Sequence, residues 1–354
     1  MLPRKTFDDA YTHWMEADGP ESGVAISSRV RIARNIAGKP FPHQSNNENA
    51  EEVLAAVRRL VEGGALNEQN GPLEMGLLSE LTAMERQILV DKHLISPELN
   101  NNFERKAVVL RDDEVISVMV NEEDHLRIQC LLSGLQLDEA WGQINQVDDG
   151  FESVLDYAFS ERLGYLTACP TNVGTGLRAS VMLHLPALVM VKQLREVLTS
   201  ISKVGMTTRG LFGEGTEALG DLYQVSNQIT LGLVEEEIIS NLIAVVQQII
   251  SQEKAARQAL LNDRQDFVHD RVYRAYGILK NAHILTSEEA MRLFSDLRLG
   301  VEMNLFSGIP TKLLNVMMVR IQPAFLTKLA GRDMPPHKRD AFRAELIRRE
   351  FKDL

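Results

Sequence analysis

The sequence predicts an α+β domain, residues 1–254, followed by an all-helical domain, residues 255–354. Two patterns carry this expectation. Short apolar runs bounded by turn residues recur between positions 107 and 229, as strands do. From Glu235 onward, apolar residues keep helical spacing almost to the end.

Taken in order, residues 24–35 form an apolar segment interrupted by Arg29, Arg31 and Arg34. If it is a strand, Arg29 and Arg31 share a face, because side chains alternate with period two. Val53, Leu54, Val57, Leu60 and Val61 predict a helix that ends at Gly63-Gly64. Thr82 and Glu85 make a capping box for a second helix running to about His93. Residues 107–110 and 115–120 read as strands around the turn Asp112-Asp113-Glu114, and 126–132 as another. Residues 164–168 and 177–185 read as strands flanking a glycine loop. Pro186 then opens a helix expected to reach Gly205, and 222–229 is the last strand. Thr286 and Glu289 start one C-terminal helix, and Pro335-Pro336 precede the final one.

The 354 residues suffice for a large core and two domains. A net charge of −11 argues against general affinity for nucleic acid or anionic membrane, and favours basic polypeptides as partners. Two cysteines, Cys130 and Cys169, imply no disulfide framework and fit a reducing cytosol. The first ten residues lack the apolar core of a signal peptide, and no apolar run reaches the ~18 residues of a spanning helix.

Three segments carry candidate chemistry. Arg29 and Arg31 would repel one another unless an anion lay between them, and a polyphosphate suits a double guanidinium fork. A solvated basic face explains the same residues equally well. Asn121-Glu122-Glu123-Asp124-His125-Leu126-Arg127 follows an apolar strand. Three consecutive carboxylates there call for a cation, whether Mg²⁺, a guanidinium or an ammonium, unless the segment is a plain polar loop. In Cys169-Pro170-Thr171-Asn172-Val173-Gly174-Thr175-Gly176-Leu177-Arg178, the glycines mimic a dinucleotide fingerprint, but a strand follows them instead of a helix. A P-loop is excluded as well, since no Lys-Ser/Thr pair closes the run. What remains is a tight turn bringing a thiol and Arg178 together. Residues 209–217 hold three glycines, an arginine and carboxylates, a composition suited to a loop that closes over phosphates.

In combination and in order, four motifs resemble those of the phosphagen (guanidino) kinases: Ser27-Ser28-Arg29-Val30-Arg31, residues 121–127, residues 169–178, and Arg209-Gly210 with Gly213. The resemblance spans about residues 20–255. It implies a mainly antiparallel sheet flanked by helices, ATP and Mg²⁺ as cofactors, and phosphoryl transfer to a guanidinium. Two departures point to the branch that acts on arginines within proteins. The small N-terminal domain of the metabolite kinases is missing, since the first motif begins at residue 27. A helical domain of about 100 residues follows and carries Arg339-Asp340-Ala341-Phe342-Arg343-Ala344, matching that branch's RDxxRA motif.

The resemblance also implies roles. Ser27, Ser28, Arg29, Val30, Arg31, His93, Arg127 and Arg178 would contact the nucleotide. So would Ala179, Ser180, Val181, Met182, Arg209, Gly210, Leu211, Phe212, Gly213 and Glu214. Glu123 would be the base, Glu214 a second clamp on the acceptor, and Cys169 a thiolate beside the guanidinium, its pKa lowered for that reason. Glu122 and Asp124 would order Mg²⁺ through waters, with no direct protein ligand to the metal. Arg339, Asp340 and Arg343 would read phosphoarginine, although i, i+3 and i, i+4 spacing alone describes a solvated helix face. Asp270-Arg271-Val272-Tyr273-Arg274-Ala275 reverses the first two letters and is assigned to structure. Implied partners are proteins with exposed arginines, an activator McsA, the repressor CtsR and a Clp-type ATPase-protease, with a homodimer as the assembly and no membrane. The alternatives are a guanidino-metabolite kinase and a non-catalytic adaptor for arginine peptides.

Overall fold

In Ala25–Arg34 (β1), Val30 and Ile32 alternate with Arg29 and Arg31, so one face of the strand is apolar and the other cationic. The computed structural model describes residues 2–64, 66, 71–210, 218–352 and 354. It places β1 inside an eight-stranded sheet. The remaining strands are Leu73–Leu77 (β2), Ala107–Arg111 (β3), Ile116–Val120 (β4), Leu126–Ser133 (β5), Leu177–His184 (β8), Met206–Gly210 (β9) and Leu222–Asn227 (β10). Phe159–Ser160 (β6) and Gly164–Tyr165 (β7) form a separate hairpin. The order is β2-β3-β4-β5-β1-β8-β10-β9, with every pairing antiparallel.

The apolar face, with Val30, Ile32, Ile128, Cys130, Ala179, Val181 and Val225, joins one core with the helices Asn47–Glu62, Leu137–Glu152 and Glu235–Asp263. Burying each large aliphatic side chain there stabilises the fold by roughly 1.5–3 kcal/mol. A one-residue slip would drive the arginines into this core, so the register is tightly specified. On the other face, the N-terminal segment (Phe7, Trp14), the helix Ala83–Asp91 and the C-terminal helices form a second core. That core covers Val108, Met119, Leu131 and Leu222.

Three expected elements are corrected. Only Gly164–Tyr165 of residues 164–168 is strand, because Tyr165 exchanges backbone hydrogen bonds with Gly174 of the glycine turn. The helix expected over 186–205 is two, Pro186–Met190 and Leu194–Ser202, with Lys192 left-handed (φ 61°) between them. The break expected at 254/255 falls inside the continuous helix Glu235–Asp263. Glu253 accepts from the backbone N–H groups of Ala187 (3.1 Å) and Leu188 (3.0 Å), capping the Pro186–Met190 helix. Arg257 donates to Gly23 O (3.0 Å) and His184 O (3.3 Å). Both sides of the expected boundary are therefore tied to the sheet. The backbone leaves helical geometry at Arg264 (φ −142°, ψ 40°).

Candidate active site

Partners across an antiparallel ladder share a face. Arg31 lies opposite both Gln129 and Arg178, and Arg29 opposite Leu131 and Ser180. Arg127 follows on the same side of β5, two residues from Gln129, and Arg209 pairs with Gln224, itself opposite Met182. Register alone thus gathers Arg29, Arg31, Arg127, Arg178 and Arg209. All five line one cleft of about 1260 Å³, together with His93, Glu122, Glu123, Cys169 and Gly210.

Among the described residues Arg29, Arg31, Arg178 and Arg209 form no ion pair, whereas Arg127 pairs with Glu122. Arg29 Nη2 donates to Gln224 Oε1 at 3.1 Å, and Arg178 Nη2 to Ser226 Oγ at 3.3 Å. Nε of Arg31 and of Arg178 is buried with no partner. Burial, then the charges of Arg127 and Arg178, pushes Arg29 down to about 10. Burial, then Arg29, pushes Arg31 further below its usual value. Arginine stays protonated in proteins, so these shifts express a confined positive field that an anion would relieve. His93 sits at a left-handed turn (φ 63°) just after the Ala83–Asp91 helix; burial, then Arg29, lowers it to about 4 and keeps it neutral.

The carboxylates divide by role. Arg127 Nη1 donates to both oxygens of Glu122 (2.8 and 2.6 Å), and Ser96 Oγ adds a third bond at 2.6 Å. Of the three candidate cations for this acidic run, the structure supplies a guanidinium. Burial, the largest single influence, would raise the Glu122 carboxyl, but Arg127, Ser96 and the Glu123 backbone N–H together hold it below the usual value. Asp124 is buried and turned from the cleft, accepting from Asn35 Nδ2 (2.6 Å) and Ala168 N–H (2.7 Å). Its expected role beside Mg²⁺ is therefore corrected to anchoring the loop. With Glu122 already engaged, this pair does not fit as a metal's ligands. His125 is structural too: Nδ1 accepts from Ile36 N–H and Nε2 donates to Pro40 O, which fixes a neutral tautomer. Of the run's three carboxylates, Glu123 is the one left exposed at the cleft, its pKa raised by burial and then by Asp124; Glu98, also exposed, lines the cleft from another element.

Four of the residues expected at the nucleotide have side chains that alternation turns away from the cleft. Val30, Ala179 and Val181 point into the opposite core. The Ser28 hydroxyl donates to Gly134 O (2.8 Å) and accepts from Gln136 N–H (2.9 Å), fixing the turn after β5. Ser27, Ser180 and Met182 do face the site, in a recess with Trp14, His93, Leu222 and Met318. The glycine turn is needed sterically. Gly174 (φ 112°) would bring a Cβ within 2.4 Å of Thr230 O, and Gly176 (φ 67°) within 2.6 Å of Ala33 O. Cys169 Sγ lies 3.0 Å from Thr171 Oγ1, on the cleft wall. Leu211, Phe212, Gly213 and Glu214 lie outside the described residues.

Several cleft residues were not anticipated. Gln224 could have been found by extending alternation along β10, since it stands opposite Met182. Asp91, raised to about 6 by burial, has one oxygen bonded by Gln87 and the other buried without a partner. Met318, Gln322 and Pro323 come from the C-terminal helices and close one side of the site. No local sequence signal marks them. In the RDxxRA motif, Arg343 is 2% exposed and so is no solvated face. It donates to Ile321 O (3.0 Å), Leu285 O (2.8 Å) and Asp340 (2.5 Å). By contrast, Arg274 and Asp270 form an exposed ion pair, as expected of the look-alike motif.

An antiparallel sheet presenting five arginines to one cleft, with the exposed carboxylates of Glu123 and Glu98 also lining it, defines a phosphotransferase for a cationic acceptor. Residues 53–256 match the family model for the ATP:guanido phosphotransferase C-terminal catalytic domain, and the chain belongs to that family of kinases. Residues 265–354 match the protein-arginine kinase McsB C-terminal domain. Along its whole length the chain is 65% identical to a protein-arginine kinase of Pelotomaculum thermopropionicum, covering 99% of it. It is 57% identical to that of Desulforamulus reducens, again over 100% of the chain and 99% of the relative. Among solved structures, lombricine kinase aligns with TM-score 0.58 and 25% identity over 71% of this chain and 73% of that one. The duplicated taurocyamine kinase of Schistosoma mansoni aligns with TM-score 0.59 and 26% identity over 71% of this chain, which spans 35% of that longer protein. No described helix is long and apolar enough to cross a membrane.

Proposed function

We propose that this chain transfers the γ-phosphoryl group of ATP to arginine side chains of proteins. The observation that carries the reading is Glu123, an exposed carboxylate on the same cleft as five arginines. The arginines hold the phosphates and neutralise charge as the transferred group moves, work that needs position more than covalent chemistry. An acceptor guanidinium is a poor nucleophile while protonated. Glu123 orients it and takes a proton from the attacking nitrogen as the N–P bond forms, while the bond from phosphorus to the ADP oxygen breaks and ADP departs with that electron pair. Mg²⁺ belongs to this reading as the partner of the nucleotide phosphates, whose charge it would help to neutralise. Incubation with ATP-Mg²⁺ and an arginine-rich protein, followed by mass spectrometry at neutral or basic pH, should show phosphoarginine. A kcat/KM for free arginine equal to that for the protein would favour a metabolite kinase instead.

The same reading assigns phosphoarginine recognition to the RDxxRA motif. Asp340 and Arg339 are part-exposed and can face a ligand, whereas Arg343 braces Ile321, next to the cleft residues Gln322 and Pro323. Asp340→Ala should weaken phosphoarginine binding roughly tenfold or more, the value of a charged hydrogen bond. Calorimetric titration of wild type and variant measures it, and equal affinities would return the motif to a purely structural role. By resemblance, the partners are the activator McsA, the repressor CtsR and a Clp-type ATPase-protease that reads the product. A homodimer in the cytoplasm is the assembly consistent with these.

A further inference from the structure

A second groove opens off the catalytic cleft. Its volume is about 540 Å³, and it shares Lys106, Glu122 and Glu123 with the cleft. One wall is residues 42–50, leading into the Asn47–Glu62 helix; the other is the loop 102–106. None of the five phosphate-side arginines lines it. We propose that this groove holds the polypeptide on either side of the acceptor arginine, in extended form and through its backbone. The proposal rests on the reading of Glu123 as the acceptor end of the site.

Continuity is the first argument. A guanidinium seated at Glu123 must have its main chain lead away from the phosphates, and the groove leaves the cleft at that residue. A free metabolite would leave most of this space unfilled. The second argument is the lining. An extended backbone presents N–H and C=O groups alternately, and side-chain amides can meet both. Asn47 and Asn102 line opposite walls, are exposed, and make no hydrogen bond among the described residues. The third argument is that the walls are already held in place. Asn121, left-handed at φ 59°, donates from Nδ2 to Ala50 O and to Arg105 O, both at 3.0 Å, and so ties one wall to the other. Asn102 (φ 52°) and Arg105 (φ 56°) fix the shape of the loop. A groove formed in advance avoids an ordering cost on binding. Of the groove's cations, Arg105 is ion-paired and Lys106 is tied back to the chain. Arg105 lies between Glu51 (3.7 Å) and Glu104 (3.5 Å), and Lys106 Nζ is directed to Asn101 O (3.2 Å).

The test compares two acceptors with the same guanidinium: a ten-residue peptide with one central arginine, and N-acetyl-arginine amide. In the double variant Asn47→Ala/Asn102→Ala, KM for the peptide should rise roughly tenfold, the combined effect of two hydrogen bonds. Its kcat, and all constants for the short acceptor, should stay at wild-type values. Asn102→Trp, which fills the groove, should raise the peptide KM further. Both positions are exposed, but Asn102 holds a left-handed φ of 52° that alanine and tryptophan disfavour, so thermal melts are compared with wild type and Asn102→Gly, which keeps that conformation without the amide, should reproduce the peptide-specific loss. Anisotropy of a fluorescein-labelled peptide reports binding independently of turnover. Peptide binding lost in the variants supports the groove even if Glu123 proves not to be the base. Unchanged peptide KM and binding, or equal losses with both acceptors, would overturn it.

Discussion

Glu123→Gln is expected to lower turnover by at least ~10²-fold, the usual effect of losing a general base, with nucleotide affinity close to wild type. The substitution keeps the size of the side chain and removes its charge. No hydrogen bond to the Glu123 carboxylate is formed by the described residues, so folding should not suffer. Glu122 cannot substitute for it, because its oxygens are engaged by Arg127 and Ser96. Burial and Asp124 raise the Glu123 pKa, so the base is ionised above that raised value and kcat falls as pH drops through it. Steady-state ADP release gives kcat, and a fluorescent nucleotide titration gives affinity. Turnover near wild type would remove Glu123 from the chemistry.

Arg31→Met should have the opposite effects on activity and stability. Phosphoryl transfer should fall by about 10²–10³-fold, as when one preorganised charge donor is removed from a transition state. The nucleotide-free protein should nonetheless melt at a higher temperature than wild type. Burial, then Arg29, Arg127 and Arg178, pushes the Arg31 pKa down. A cation whose folded pKa is depressed disfavours folding at every pH where it remains charged, and for arginine that is the whole accessible range. Methionine fills similar space without the charge. Tripolyphosphate should raise the melting temperature of wild type more than that of the variant. A variant that melts lower without ligand would show that the arginine cluster is not a strained assembly. This is the trade between stability and activity expected of a preorganised site.

The cationic face was legible because period-two alternation needs only the strand to be known. Arg29 and Arg31 on one side and Val30 and Ile32 on the other follow from β1 alone. The same rule, carried into β8, separates the side chains of Ser180 and Met182 from those of Ala179 and Val181. The divided labour of Glu122, Glu123 and Asp124 was not legible. Three adjacent carboxylates look alike in sequence, and their fates depend on Ser96, Arg127, Asn35 and Ala168 reaching them from other elements. The helix Glu235–Asp263 hid the domain boundary, since helical periodicity continues unchanged from residues that cap the catalytic region into those that leave it. Met318, Gln322 and Pro323 were invisible for a simpler reason: apolar and amide residues on a helix carry no sign of what they face.

These last residues give the molecule an order of assembly. The sheet is complete once Asn227 has been made, whereas Met318 comes 91 residues later (318 − 227). Asn315, from the same helix, donates to Met15 O across 300 positions of sequence. At ~5–20 residues per second, ribosomal synthesis separates the two events by roughly 5–20 s. During that interval the nascent chain has its arginine face but lacks the third wall of its nucleotide recess. The side of the recess that Met318 builds is therefore the last to be synthesised, after every strand that carries the arginine face.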